Sequence, residues 1–129
     1  MSDRSRDWMA QAQDDLEAAL VLRDGGKHGQ ACFTAQQAAE KAVKAVHLSR
    51  LVPPWGHSII ELLEALHDVP ESLMENARVL DGYYIPTRYP NGHASGASFR
   101  YYGPRQSQQA IEYAREIVEY ALTQMAGAR

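Results

Sequence analysis

An arginine and a histidine lie close together in the sequence Arg-Tyr-Pro-Asn-Gly-His, where four residues separate Arg88 from His93. Together these two residue types support one reaction on RNA. A neutral imidazole takes a proton from a 2′-hydroxyl, and a guanidinium stabilises the negative charge that gathers on the phosphate oxygens. Cleavage by such a pair requires no metal ion. We therefore treat Arg88 and His93 as candidate catalytic residues.

The chain between these two residues has to bend if they are to act together. In a straight helix, residues five apart point to different sides. Either Pro90 and Gly92 bend the chain enough to bring the two side chains together, or the pair faces a symmetry mate across a dimer interface. Two other arginine–histidine pairs in the sequence have comparable spacing: Arg23 with His28, and Arg50 with His57.

The segment from Tyr83 to Pro104, which contains the candidate pair, is rich in aromatic and basic residues and has no carboxylate. Its prolines and glycines interrupt any regular helix, so it should form a long, ordered and packed loop or a kinked helix end. Arginine binds phosphates and tyrosine stacks on bases. We therefore expect a surface for RNA or a nucleotide, with these candidate binding residues: Lys41, Lys44, Arg88, Tyr89, Arg100 and Tyr102.

Composition limits the class of protein. The chain has 129 residues, 45% of them hydrophobic, which fits a single domain spanning residues 1–129. The net charge of −3 provides no overall attraction for nucleic acid, so any such site must be a local cluster. The N-terminal sequence lacks the apolar stretch of a signal peptide, and no apolar run reaches membrane-spanning length. Cys32 is a lone cysteine in an apolar pattern, and we expect a cytoplasmic protein.

Neither a metal ion nor a cofactor is expected. The five histidines form no HxxxH pair and have no cysteine partners. The sequence also has no Walker phosphate loop, no dinucleotide fingerprint and no GxSxG elbow. Cys32 lies among small residues on a helix, which makes it a poor nucleophile.

The remaining sequence has the periodicity of helices. Apolar residues recur at helical spacing in five segments: Asp7 to Asp24, Gln30 to Arg50, the turn-capped stretch after Ser58, Pro70 to Gly82, and Arg105 to Met125. Ser58 and Glu61 form a capping-box pattern. No segment alternates like a strand. The sequence predicts an all-α bundle of four or five helices with a long loop before the last one.

Two positions outside the loop have alternative interpretations, and a third has a single one. The polar side of the second helix contains Glu40, Lys41 and Lys44, and is either a solvated surface with a Glu40–Lys44 ion pair or a group that holds a phosphate or orders the loop. Trp55 is expected to close one end of the core. His57 precedes a helix N-terminus, where it either makes a local hydrogen bond or binds an anion.

Several motifs together resemble the small HEPN domains of prokaryotes, and the resemblance covers nearly the whole chain. These motifs are Trp8 with Ala12 and Leu16, the run Phe33-Thr-Ala-Gln-Gln-Ala-Ala-Glu-Lys-Ala-Val-Lys-Ala45, Gly56-His57, and Tyr84 with Arg88-Tyr89-Pro90. The resemblance implies an antiparallel up-and-down bundle that commonly dimerises and is often encoded beside a minimal nucleotidyltransferase, as a toxin–antitoxin pair. Many HEPN toxins are metal-independent ribonucleases with an Arg-x4-6-His motif near the start of the last long helix, and Arg88 and His93 match it.

The sequence therefore predicts an HEPN-like protein that acts on RNA or on a nucleotide. Ribonuclease activity is one form that this function could take. Two alternatives stay open. In the first, the chain is a non-catalytic nucleotide-binding module in which Arg88, Lys41 and Lys44 hold phosphates. In the second, it is an interaction protein whose aromatic loop forms a dimer or partner interface.

Overall fold

Five α-helices make up the computed structural model, which describes residues 4–127. The helices are α1 (Ser5–Asp24), α2 (His28–Ser49), α3 (Ile59–Glu64), α4 (Glu71–Asp81) and α5 (Pro104–Gly127). No strand occurs in these residues, so the predicted all-α bundle is confirmed. α1 and α2 each begin two residues before their predicted starts, within the usual uncertainty of helix ends. Residues 1–3 and 128–129, at the ends of the predicted domain, lie outside the described residues.

The segment between α4 and α5 is ordered, as predicted. It consists of consecutive turns followed by two short 3₁₀ helices, Pro90–Gly92 and Ser98–Tyr101. Gly82 ends α4 at the expected place. None of the described helices is long and apolar enough to cross a membrane.

The bundle is built around α2, which packs against both α1 and α5. Small side chains allow this close approach on both sides, and six alanines of α2 are fully buried: Ala31, Ala35, Ala38, Ala39, Ala42 and Ala45. Because α1 and α2 are joined by a short turn at Gly25 and Gly26, they form an antiparallel hairpin. Gly26 has a φ of +79°, which favours glycine at this turn.

The polar side of α2 is buried, so the interpretation as a solvated surface is wrong. Gln36, Glu40 and Lys44 are all nearly inaccessible. The predicted Glu40–Lys44 ion pair is present, with a Lys44 Nζ to Glu40 Oε2 distance of 3.1 Å, and Gln36 Nε2 donates to Glu40 Oε1 at 3.1 Å. Neighbouring elements cover this side of α2, and Trp8 of α1 lies over the Lys44 ammonium at 5.8 Å. These polar groups satisfy one another inside the protein.

The start of α3 is held by two residues. Ser58 Oγ accepts from the Glu61 N–H, which confirms the predicted cap. Asp81, at the end of α4, also accepts from the N–H groups of Ile59 at 2.8 Å and Ile60 at 3.1 Å. A carboxylate at this position satisfies amides that the helix itself leaves unpaired. It fixes α3 to α4.

Trp55 does not close the core, so that expectation is wrong. Its side chain is 82% exposed, whereas Ile59, Leu62 and Leu63 of α3 are buried in the same end of the bundle. The apolar side chains of α3 fill this end of the core in place of the indole ring. Trp55 therefore lies on the surface of the turn that follows α2.

Candidate functional site

Arg88 is held by aromatic rings. Its guanidinium carbon lies 4.5 Å from the ring centroid of Phe33, 4.8 Å from that of Tyr84 and 5.0 Å from that of Tyr89. Its Nε donates to the backbone carbonyl of Tyr84 at 2.8 Å. No carboxylate of residues 4–127 forms a salt bridge with it. The result is an exposed, positioned cation whose terminal nitrogens can still donate to a ligand.

His93 is fixed by contacts on its own loop. Its Nε2 lies 2.7 Å from the carbonyl oxygen of Pro86, and its ring stacks on Tyr101 with centroids 4.1 Å apart. A carbonyl oxygen only accepts, so Nε2 has the proton and the lone pair of the neutral ring is on Nδ1. Gly92 makes this geometry possible, because a Cβ there would lie 2.9 Å from the Pro86 Cα.

Arg88 and His93 make no hydrogen bond or ring contact with each other among the described interactions. Arg88 lines a cleft of about 450 Å³, and His93 does not. The cleft lies where the loop meets the start of α2, and Lys27, His28 and Phe99 also line it. The fold thus brings Arg88 next to the N-terminus of α2.

The other candidate residues of the loop have different environments. Tyr89 lies beside the Arg88 guanidinium. Tyr102 is partly buried against Gly29, its hydroxyl lies 3.5 Å from His93 Nε2, and burial raises its pKa above the usual value. Arg100 is exposed and borders a separate small depression with Tyr101. The loop therefore presents its cations at more than one place.

Lys41 and Lys44 lie outside the Arg88 cleft. Lys41 Nζ lies 2.7 Å from a carboxylate oxygen of Asp15 on α1, and Lys44 is paired with Glu40. Both ammonium groups are thus neutralised by carboxylates within the helical bundle. This geometry favours a structural role for them.

His57 connects that buried network to the loop. Its Nδ1 lies 3.2 Å from Glu40 Oε2, and its ring stacks on Tyr84 with centroids 5.0 Å apart. Tyr84 in turn contacts Arg88. Of the two interpretations of His57, the contacts favour the structural one.

The described residues offer few side chains for redox chemistry or for binding a metal ion. Cys32 is fully buried, and burial raises the pKa of its thiol to about 12, so the thiolate nucleophile is scarce at neutral pH. Residues 4–127 contain no group of three or more histidine, cysteine or acidic side chains that would hold a metal ion. The basic cleft is the prominent chemical feature.

Sequence reasoning missed Lys27 and Ser98, which line the cleft beside Arg88. They come from distant parts of the chain, and the fold brings them together. One signal was available at Lys27: it follows Gly25 and Gly26, and the helix that starts after it has no acidic residue in its first turn. In the sequence, His28 stands out only by its spacing from Arg23. The two instead contact α5 separately, Arg23 at Gln108 and His28 at Ser107.

Comparisons with known proteins agree with this fold. A model of the HEPN domain matches residues 5–124. TT1696 from Thermus thermophilus is 44% identical, covers 95% of this chain and 99% of its own, and superposes with a TM-score of 0.93. The archaeal HEPN homologue ST0689 is 37% identical over 96% of this chain and 99% of its own, with a TM-score of 0.85.

An HEPN domain protein from Thermotoga maritima is also similar. It is 33% identical, covers 91% of this chain and 95% of its own, and has a TM-score of 0.73. A comparison with curated proteins gave no significant match. The family model and the three structures each extend over nearly the entire bundle. The chain therefore belongs to the HEPN family.

Proposed function

We propose that this HEPN-domain protein binds RNA or a nucleotide through Arg88, without the need for a metal ion. One observation carries the proposal: the Arg88 guanidinium is exposed, is fixed by three aromatic rings and has no carboxylate partner among the described residues. A guanidinium of this kind binds phosphate oxygens in a bidentate manner.

The surroundings of Arg88 suit the rest of such a ligand. Tyr89 and Phe99 are exposed near the same cleft, and exposed aromatic rings stack on bases of any sequence. The loop from Tyr83 to Pro104 has no acidic residue to repel a polyanion. Because the net charge of the whole chain is −3, the attraction for a polyanion is local to this surface.

Binding of a short single-stranded RNA and of ATP, measured by calorimetry, tests the proposal. Replacing Arg88→Gln should weaken binding about tenfold or more, since a charge-assisted contact to phosphate is lost. The slope of log Kd against log salt should also decrease by about 0.7 for the RNA, the value for one phosphate contact on a single strand. Arg115→Gln, an exposed charge on α5, is the matched control. Equal affinities of the Arg88 and Arg115 variants would contradict the proposal.

Metal-independent RNA cleavage by Arg88 and His93 is a second candidate function, and one observation favours it. The hydrogen bond to Pro86 and the stack on Tyr101 fix the His93 ring with the lone pair of its neutral form on Nδ1. A fixed imidazole of this kind suits a general base. Since the two side chains make no contact within one chain, the pair would have to act across a dimer interface or on a substrate that spans both residues.

Cleavage of a 2′-hydroxyl-containing oligonucleotide in excess EDTA tests this second candidate. Both His93→Gln and Arg88→Gln should abolish it, and a substrate with a 2′-deoxy group at the cleaved position should be resistant. Cleavage that persists in the His93 variant would rule out this mechanism while leaving RNA binding by Arg88 unaffected.

Two partners belong to the same proposal. A homodimer would cover exposed apolar residues outside the cleft, such as Leu51 and Trp55, and a minimal nucleotidyltransferase would make the chain one half of a toxin–antitoxin pair. Light scattering at increasing concentration should give twice the monomer mass of 14.4 kDa. A monomer at every concentration would argue against the dimer, and a dimer that persists in both Leu51→Ser and Trp55→Ser would argue against this interface.

A further inference from the structure

The cleft beside Arg88 has a strongly positive lining. Lys27, His28 and Arg88 are the ionisable side chains that line it, and none of its lining residues is acidic. No described group forms a salt bridge with Lys27. An unpaired lysine and an unpaired arginine on one cleft provide two full positive charges to a ligand.

The N-terminus of α2 opens into the same cleft. Lys27 is the N-cap residue and makes no side-chain cap, and the first intrahelical donor is the N–H of Ala31, which bonds to the Lys27 carbonyl. No described acceptor is bonded to the N–H groups of residues 28, 29 and 30, all of which line the cleft. Three such amides and the positive end of the helix dipole form a favourable environment for a phosphate.

A second and independent feature also suggests a ligand. Ser98 lines the cleft and is only 8% exposed, and its Oγ has no hydrogen-bond partner among the described residues. A buried hydroxyl without a partner is unfavourable. The oxygen itself has almost no accessible surface, so a rotation of the side chain toward the cleft would let a phosphate oxygen give it a partner.

His28 also lines the cleft, and its ring is held by a residue of α5. Its Nδ1 lies 2.9 Å from Ser107 Oγ, and that hydroxyl donates to the carbonyl oxygen of Pro104 at 3.2 Å. The hydroxyl therefore accepts from His28, which places the imidazole proton on Nδ1. Nε2 has no described partner, and it would donate to a phosphate oxygen only in the protonated ring.

From these groups we infer that the cleft binds a terminal phosphate, the phosphomonoester of a nucleotide or of a phosphorylated RNA end. The inference rests on the proposed function, because Arg88 serves both. A phosphomonoester has a charge of about −1.5 to −2 at neutral pH, whereas an internal phosphodiester has a single negative charge. Lys27, Arg88 and the helix dipole, worth roughly half a charge, match the larger charge.

The remainder of the cleft has room for a nucleoside. Its volume of about 450 Å³ is within the range of small-molecule sites. Phe99, also in the lining, is 75% exposed, and its ring is available for stacking on a base. The phosphate would lie at the amides of α2 with the base toward Phe99.

Two matched pairs of probes test the inference by calorimetry at one salt concentration: AMP against adenosine, and a short RNA with a 5′-phosphate against the same RNA with a 5′-hydroxyl. For at least one pair, the phosphorylated member should bind about tenfold more tightly or better. Lys27→Gln should remove that difference, and it should change the affinity for the unphosphorylated member no more than Arg115→Gln does. Arg115→Gln, which removes an exposed charge from α5, should retain it.

The outcomes separate this inference from the proposed function. Preference for AMP alone identifies a free nucleotide as the source of the phosphate, and preference for the phosphorylated RNA alone identifies an RNA end. If Arg88→Gln weakens RNA binding but the terminal phosphate has no effect, or if Lys27→Gln retains the full preference, the inference is overturned and the proposed function stands. If Lys27→Gln removes the preference and Arg88→Gln leaves all affinities unchanged, the phosphate site stands and the proposed role of Arg88 does not.

A further variant is specific to the buried hydroxyl. Ser98→Ala removes a polar atom that has no partner, so the free protein should be at least as stable as wild type to urea. Its affinity for the phosphorylated probe should nevertheless decrease several-fold, at unchanged affinity for the unphosphorylated one. Unchanged affinity for both probes would remove Ser98 from the site.

Discussion

Two groups of cations in this protein differ in what surrounds them. Lys41 and Lys44 on α2 each meet a carboxylate, Asp15 or Glu40, inside the helical bundle. Lys27 and Arg88, on the cleft at the start of α2, meet none among the described residues. The first group is neutralised and contributes to the fold. The second remains available to an anion from outside.

This difference shows that a basic residue cannot be assigned to a binding site from its charge alone. The carboxylates that face Lys41 and Lys44 would oppose a phosphate approaching them, and ion pairs away from bulk water are strong. In the cleft the nearest groups to Arg88 are aromatic rings and a backbone carbonyl. These hold the cation without neutralising it.

The largest effect is expected at Glu40, which neutralises Lys44. Glu40→Gln retains the shape of the side chain but leaves the nearly buried Lys44 ammonium without its carboxylate. Removing one partner of a buried ion pair costs about 3 kcal/mol or more in unfolding free energy. Urea denaturation measures it, with Glu116→Gln, an exposed acidic residue of α5, as the control. A loss below about 1 kcal/mol would contradict a structural role for this group.

A somewhat smaller loss is expected at Asp81, the other carboxylate with a structural role. Asp81→Ala removes the acceptor from the N–H groups of Ile59 and Ile60 and from the Ser58 hydroxyl. Loss of a helix cap of this kind lowers the unfolding free energy by about 2 kcal/mol. Hydrogen exchange should show faster opening of α3 than in wild type. If exchange in α3 were unchanged, Ser58 alone would be a sufficient cap.

The unfolding free energy should also depend on pH in the alkaline range, through the thiol of Cys32. This buried group of α2 belongs to neither of the two groups of cations. Burial raises the pKa of its thiol from 9.0 to about 12, so above pH 9 the unfolded chain loses this proton first. The unfolding free energy should therefore fall as the pH rises from about 9 to 12, by at most about 1.4 kcal/mol per pH unit from this group. Cys32→Ala should make the slope less steep. An identical slope in the variant would assign the effect to other groups, such as Tyr83, whose pKa is also raised by burial.

The smallest change in stability is expected at Arg88. Arg88→Gln removes contacts with three rings, but the side chain is exposed and has no ion pair. The unfolding free energy should change by less than about 1 kcal/mol. A loss as large as that of Glu40→Gln would indicate that Arg88 belongs to the structural group of cations.

The sequence was sufficient to predict most of the fold. Periodicity located the five helices, the Ser58 cap was visible as a pattern, and the aromatic content of the loop indicated that it would be ordered. These features depend on residues close together in the chain. Local propensity and spacing determine them.

The site was harder to predict, because it depends on which surfaces cover one another. Glu40 and Lys44 have the spacing of a solvated helix face, and contacts with α1 and with the connection between α2 and α3 help to bury them. Lys27 and Ser98 meet only in the folded protein. Trp55 has the large apolar side chain of a core residue, but residues of α3 fill that end of the core and Trp55 is exposed. The sequence pointed to Arg88 as part of a basic, aromatic segment, but it did not point to Lys27, which lines the same cleft.

The difference between the two groups of cations is tested most directly by the affinity for a short, 5′-phosphorylated single-stranded RNA labelled at its 3′ end. Fluorescence anisotropy measures this affinity for wild type, Arg88→Gln and Lys41→Gln. Each variant loses one positive charge, so nonspecific attraction changes equally. We expect Arg88→Gln to bind about tenfold more weakly or worse, and Lys41→Gln to bind within about twofold of wild type. Equal weakening by the two substitutions would contradict the account.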